Sequence, residues 1–434
     1  MLQYEKPLFI RNAAQLITLQ GGINAPFKKE KMKKLSIIQN GSMWIEDGII
    51  KMVDKDDMIV RKYADRLEEA TIISAKDKIV TPGLIDSHTH LVFGGSREEE
   101  FNKRLHGVSY MEIMNDGGGI YSTTRATALA TEEQLFIKSL KHLDTFLLEG
   151  VTTVEAKSGY GLELEHELKQ LRVAKRLNEH HPIDVVSTFM GAHAVPHKYK
   201  GNEDEFVRMI TEEMLPVIGK QKLAEFNDVF CEQGVFTPAQ SKKILESGKE
   251  YGLIPKIHAD EIVPYEGAET AAKVGAISAE HLLCASDTGI YVMEKENVIA
   301  VLLPATAFFL MAPPANARKM IDAGVAVALS TDFNPGSSPT QSLQLVMNLG
   351  CLTMNMTPEE VLVATTINAA HAINRGKQIG SLEEGKQADI VLWDAPNYMY
   401  LQYQFGLNKV HTVVKNGVVV VEEGRIIKHS KSLY

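Results

Sequence analysis

Cysteine is scarce in this chain. Cys231, Cys284 and Cys351 are its only three in 434 residues, with no Cys-x-x-Cys among them. So small, odd and scattered a set builds neither a disulfide framework nor a thiolate metal cluster, and it is expected of a reduced intracellular protein whose thiols pack. Long hydrophobic runs are missing too. The most apolar stretch, Val298 to Ala312, is interrupted by Pro304 and is too short to span a bilayer. The first thirty residues hold no basic-then-apolar secretion signal. There is no excess of positive charge: 46 Lys and Arg stand against 55 Asp and Glu, a net charge of −9. That balance argues against a general nucleic-acid or membrane-surface binder, though local charge can still receive a small anion. No Gly-x-Gly-x-x-Gly or Walker sequence occurs, and Gly117-Gly118-Gly119 follows no strand-like run, so it reads as a turn and not a phosphate cradle. What remains is a soluble, cytoplasmic protein that acts on a small molecule.

The length and the 44% hydrophobic content suit a (β/α)8 barrel with a small appendage. Residues 1–77 read as short strands with tight turns, including a hairpin with Asp47-Gly48 at its tip. Residues 378–434 mirror them, with a strand at Asp389–Trp393 and a hairpin around Asn416-Gly417. Two β-rich ends around an α/β middle predict that both termini meet in one small β domain. The middle, 78–377, alternates eight strand-like runs with charged helical stretches: Ile79–Asp86, Val151–Lys157, Asp184–Met190, Asp228–Glu232, Leu253–Ala259, Ala276–His281, Val298–Leu303 and Val325–Thr331. Eight such repeats favour a closed barrel over an open sheet. Helices are expected at Thr131–Leu148, Leu164–Glu179 and Pro238–Tyr251, the last with Thr237 as N-cap and Pro238 at the first helical position.

Barrels place their chemistry at the C-terminal ends of the strands. In this chain those ends carry His88 and His90 (strand one), His193 (three), His258 followed by Glu261 (five), His281 (six) and Asp332 (eight). Side chains alternate along a strand, so His88 and His90 share a face. A lone strand-end histidine is usually a satisfied polar residue. Histidines ending four strands and an aspartate ending a fifth predict one shared site. The other nine histidines fall in helices, loops or the terminal β region and read as structural. Three neutral imidazoles (His88, His90, His258) and one carboxylate (Asp332) suit Zn, with Fe as the alternative, and such an ion brings a water near ionisation at neutral pH. Asp332 can accept the water proton, Glu261 can pass a proton to a leaving nitrogen, and His281 can hydrogen-bond the carbonyl oxygen or the water.

With these residues in view the sequence closely resembles the amidohydrolase superfamily and, within it, the imidazolonepropionase family. The resemblance runs through nearly the whole barrel. It rests on Pro82–His90 continued by Leu91–Glu98, on Lys157–Leu162, on Phe189–His193, on Lys256–Glu261 and on Thr331–Ser337. The Lys-Ser-Gly-Tyr-Gly-Leu and Asp-Phe-Asn-Pro-Gly-Ser runs are the specific ones; His-x-His and the strand-eight Asp are shared superfamily-wide. Leu303-Pro304-Ala305-Thr306 departs from the family, which usually has Gly after the Pro. The resemblance implies an α/β fold, a (β/α)8 TIM-like barrel with a composite β-sandwich from both termini. It implies hydrolysis of the cyclic amide 4-imidazolone-5-propanoate to N-formimidoyl-L-glutamate in histidine degradation. It implies one metal ion on His88, His90, His258 and Asp332, and substrate contacts at Arg97, Tyr160, His193, Glu261, Asn334, Gly336 and Ser337. Arg97 offers a planar fork for the propionate, or else a surface ion pair with a nearby glutamate. Gly336 and Ser337 offer N–H groups and a hydroxyl to an anion, or else an ordinary turn. The expected partners are a small substrate with a carboxylate tail and a second copy of the chain. Two other classes share these residues: a deaminase of an amino-substituted heterocycle, which also adds hydroxide to a ring carbon, and an inactive barrel used as a scaffold, which would have lost ligands.

Overall fold

The eight alternating runs form eight parallel strands, hydrogen-bonded in chain order: Leu84–Asp86, Val151–Lys157, Asp184–Ala192, Phe226–Cys231, Ile254–Ala259, Ser278–His281, Ile299–Leu302 and Val327–Leu329. They belong to a computed structural model that describes residues 6–108, 112–113 and 117–427. The ring closes just beyond the regular strands. Thr89 bridges Phe333 in parallel. His90 N–H donates to the Phe333 carbonyl at 2.9 Å and Asp332 N–H to the His88 carbonyl at 3.1 Å. One layer down, Thr331 donates to Asp86 from its N–H (3.2 Å) and its hydroxyl (2.5 Å). The seam that shuts the barrel is therefore where His88, His90 and Asp332 emerge.

The three expected helices are present. Glu132–Leu148 begins at Thr131, which exchanges reciprocal capping bonds with Gln134, and Pro238–Glu250 begins at Thr237 with Gln240 in the same role. Leu164–His180 covers the neighbouring strands. Among the described residues no helix is long and apolar enough to cross a membrane.

The two termini share one nine-stranded sheet. Asp47-Gly48 and Asn416-Gly417 both turn with positive φ (52° and 75°, 49° and 76°), as two-residue hairpin loops demand. The sheet curls until these tips meet: Ala388 N–H donates to the Gly48 carbonyl at 2.8 Å and Gly417 N–H to the Ala388 carbonyl at 2.9 Å. Met43, Ile45, Ile50, Ile390 and Val414 are buried together inside the fold so made. The expected sandwich is thus a single sheet bent on itself.

One boundary moves. The run Ile79–Asp86 is two strands. Ile79–Pro82 pairs with Ile390–Trp393 and with Gln15–Leu16 in the terminal sheet, and only Leu84–Asp86 enters the barrel. Pro82 can sit at the end of a strand but cannot continue its ladder, so the chain changes sheets there. Gly83 is the joint: a Cβ there would lie 2.3 Å from Thr152 Oγ1. Gly83→Ala must push Thr152 out of the core, and we expect a loss of roughly 1–3 kcal/mol in denaturant unfolding with the secondary structure retained.

Candidate metal centre at the barrel mouth

His88, His90, His258, His281 and Asp332 are all buried, each at most 2% exposed. Their donor atoms form two overlapping triads that share His88, one with His90 and Asp332 and one with His258 and His281. His88 Nε2 lies 3.3 Å from Asp332 Oδ1 and His90 Nε2 lies 3.7 Å from the same oxygen. The ring centres of His88 and His258 are 4.6 Å apart, and those of His258 and His281 5.0 Å. Nε2 of His88 and Nε2 of His258 are buried and make no hydrogen bond. Such orphaned atoms are costly unless something else fills their lone pairs. The donor atoms of each triad lie within 4.8 Å of one another, as ligands around a shared cation stand. The donor set therefore fits a divalent metal ion.

The charge states of His90, His281 and Asp332 suit that use, whereas His88 is pushed up to about 9, burial being outweighed by the charge of Glu280. Burial, then the neighbouring His193, holds the His90 imidazole well below its ordinary pKa, and burial does the same to His281. Asp332 goes the other way: burial opposes its charge, but its polar contact with His88 and the charge of that imidazole outweigh it and keep a carboxylate. Thr306 fixes the second Asp332 oxygen with a 2.7 Å hydrogen bond. Thr306 lies in a short helix, Pro304–Phe309, with Pro304 at its first position, so Ala305 sits in ordinary helix where the family usually has Gly.

The remaining residues singled out in the sequence surround this cluster. Glu261 Oε1 is 3.5 Å from His281 Nδ1. Burial, then repulsion from Asp332, pushes its carboxyl up to about 8, so it keeps its proton near neutral pH. His193 stacks on His90 with ring centres 4.7 Å apart, and its Nδ1 pairs with the Gly159 carbonyl at 3.1 Å. Tyr160 lies 5.5 Å from the His90 ring on a loop held by Glu167, whose carboxylate accepts from the N–H groups of Gly159, Gly161 and Leu162. Arg97 Nε donates to Glu100 at 2.8 Å, so the ion pair foreseen as its plainer role exists. The same guanidinium lies so close over Gly336 that a Cβ there would be 2.0 Å from Nη1. Asn334, Gly336 and Ser337 differ from expectation in one respect. The N–H groups of Gly336 and Ser337, expected to be open to an anion, both donate to Asn334 Oδ1 at 2.8 Å. Asn side chains fold back on the following backbone in this way, so Asn334 builds the loop, and it also engages the Ser337 hydroxyl, which accepts from Nδ2 at 2.9 Å.

Sequence reading passed over the layer beneath. Glu155, Lys157, Asp228, Lys256 and Glu280 are fully buried and linked. Their signal was present: Glu155 and Lys157, and Lys256 and His258, are pairs two apart in barrel strands, so each pair points the same way into the barrel. Charged residues at inward strand positions have to be satisfied by each other.

A parallel barrel closed by ligand-bearing strand ends, with a β domain from both termini, defines a metal-dependent hydrolase of one known class. A profile of the amidohydrolase family matches residues 79–420, and the chain belongs to that family. Within it the chain stands among the imidazolonepropionases. The imidazolonepropionase of Brevibacillus brevis is 66% identical over 421 residues, covering 97% of this chain and 99% of that one. That of Clostridium tetani is 51% identical over 416 residues, covering 96% and 98%. Among solved structures, an adenosine deaminase from Xanthomonas campestris with bound zinc superposes with a TM-score of 0.71 at 17% identity, covering 98% of this chain and 95% of that chain. The guanine deaminase of E. coli gives 0.72 at 12% identity, covering 96% and 99%. These two share the fold.

Proposed function

We propose that this chain opens the ring amide of 4-imidazolone-5-propanoate to give N-formimidoyl-L-glutamate, in the cytoplasm, as a step of histidine degradation. The ligands in this proposal are His88, His90, His258 and Asp332, around one Zn or Fe ion. The observation that carries the reading is the approach of His88 Nε2 (3.3 Å) and His90 Nε2 (3.7 Å) to one oxygen of Asp332, beside an arginine that rests on the loop leaving that aspartate. High identity to imidazolonepropionases across the whole chain favours it over deamination.

When bound, the ion supplies a water acidified to near neutral pH and polarises the ring carbonyl. Asp332, kept ionised and held by Thr306, takes the water proton. His281, a neutral imidazole, donates to the developing oxyanion. Glu261 gives its proton to the departing ring nitrogen. Tyr160 and His193 wall the pocket beside His90 and orient the ring. Arg97, already fixed at Nε by Glu100, turns its Nη edge to the propionate, with the Ser337 hydroxyl, which accepts from Asn334 Nδ2, as the proposed second contact. A homodimer is the assembly proposed, and sedimentation equilibrium giving a single-chain mass would contradict it.

Losing a charge-assisted bond to the substrate carboxylate costs roughly 1.5–3 kcal/mol. Arg97→Ala should therefore lower kcat/KM on imidazolone propionate about ten- to a hundredfold, with bound metal unchanged. The propionamide analogue, which lacks the charge, should be turned over equally by wild type and variant. Unchanged kcat/KM on the carboxylate would remove Arg97 from the substrate site.

A further inference from the structure

The buried charge layer under the metal centre is organised by one ammonium. Lys157 Nζ lies 2.7 Å from Asp228 Oδ2, 2.8 Å from Glu155 Oε1 and 2.9 Å from Glu280 Oε2. Two of those carboxylates reach the histidines above. Asp228 Oδ1 pairs with His258 Nδ1 at 3.1 Å. Glu280 Oε2, the oxygen that Lys157 holds, is in ion-pair contact with His88 Nδ1. Each of these imidazoles is gripped at Nδ1 from below and presents Nε2 to the proposed ion.

Lys256, the other buried lysine, is wired differently. It meets Glu280 on the far oxygen, Oε1, at 3.1 Å and Glu155 at 3.3 Å. It also donates to the Ser87 and Ala372 carbonyls. It makes no ion pair with Asp228, and its nearest approach to Glu280 is to Oε1. The layer thus has one cation that ties both histidine-holding carboxylates together and one that braces Glu280 and Glu155 from the other side. Asp228, His258 and Glu280 also bring ligand-type atoms together, and the ammonium of Lys157 stands against both carboxylates of that set.

We propose that Lys157 is the positioning residue of the metal centre: its resident positive charge joins Asp228 to Glu280 and so sets the tautomer and aim of His258 and His88 together. This inference rests on the ligand assignment proposed above. Partners of this kind behind metal-binding histidines typically contribute about 10–100-fold in affinity. Lys157→Met alone removes a cation shared by three buried carboxylates and leaves an excess of buried negative charge, so its losses would not separate positioning from misfolding; the informative variant is Lys157→Met/Glu155→Gln. It removes one charge of each sign and leaves the net buried charge as it was. The near-control is Lys256→Met/Glu155→Gln, which removes the same charges but keeps Lys157 on Asp228 and Glu280 Oε2.

The experiment loads full-length apoprotein with Co²⁺ and with Zn²⁺. It reads the visible cobalt spectrum and the zinc affinity by competition with a chelator, alongside thermal unfolding of each variant. The expected result is that the Lys157 double variant binds Zn²⁺ about 10–100-fold more weakly and shows an altered cobalt spectrum, while the Lys256 double variant keeps the wild-type spectrum and most of the affinity even if it melts earlier. Wild-type affinity and spectrum in the Lys157 double variant, or equal losses in both variants, would overturn the role of Lys157 and leave the ligand assignment standing. Wild-type protein whose Zn²⁺ affinity is unaffected by His258→Ala would overturn the ligand assignment itself, and this inference with it.

Discussion

His258→Ala should lose the metal and the activity together while the protein stays folded. The substitution removes one of four proposed ligands, and with it the polarised carbonyl and acidified water, which are worth several kcal/mol of barrier. Turnover of imidazolone propionate should fall by roughly 10³-fold or more. The fold should survive because the cavity opens at the mouth and not in the core, and because Asp228 does not become an orphan. Its Oδ1 still accepts from Val229 N–H at 2.7 Å, and its Oδ2 stays on Lys157 at 2.7 Å. Elemental analysis and circular dichroism on the same sample check both halves. A variant that has lost the metal and also unfolded would mean that the ion is structural.

Glu261→Gln should keep the metal and lose most of the chemistry. The amide is nearly isosteric but cannot carry a proton to the leaving nitrogen, and general acid catalysis typically supplies about 10²–10⁴-fold. Glu261 lies just past the strand that bears His258, is not one of the proposed ligands and keeps 18% of its side chain exposed, so metal content should not change. The pH dependence adds a signed test. Burial raises this carboxyl to about 8, and it serves as an acid only while protonated, so kcat should fall as pH rises through that range. The glutamine variant should lack that alkaline limb. Near-normal turnover in the variant would move the proton transfer to Asp332 or His281.

The legible parts of this protein were those that a local pattern determines. All eight barrel strands could be read because each is a short apolar run between helical stretches, and strands buried on both faces leave such runs. Thr237 marked its helix because a cap is a local hydrogen bond. His88, His90, His258, His281 and Asp332 could be grouped because the barrel brings strand ends to one face regardless of sequence distance. What escaped depends on partners far apart in sequence. The division of Ile79–Asp86 between two sheets is decided by Ile390–Trp393, three hundred residues later. Neither Glu155 nor Asp228 looks special alone; each has meaning through Lys157. The fate of the Gly336 and Ser337 N–H groups was set by a side-chain rotamer of Asn334, which spacing does not report.

Product identity tests the central claim most directly. Metal-replete protein is incubated with freshly made 4-imidazolone-5-propanoate, and the products are followed by nuclear magnetic resonance with a parallel assay for ammonia. Amide hydrolysis retains both ring nitrogens, so the account predicts N-formimidoyl-L-glutamate in step with loss of the imidazolone chromophore, without ammonia. Stoichiometric ammonia, or an imidazolone left intact by protein that deaminates cytosine or guanine, would contradict it.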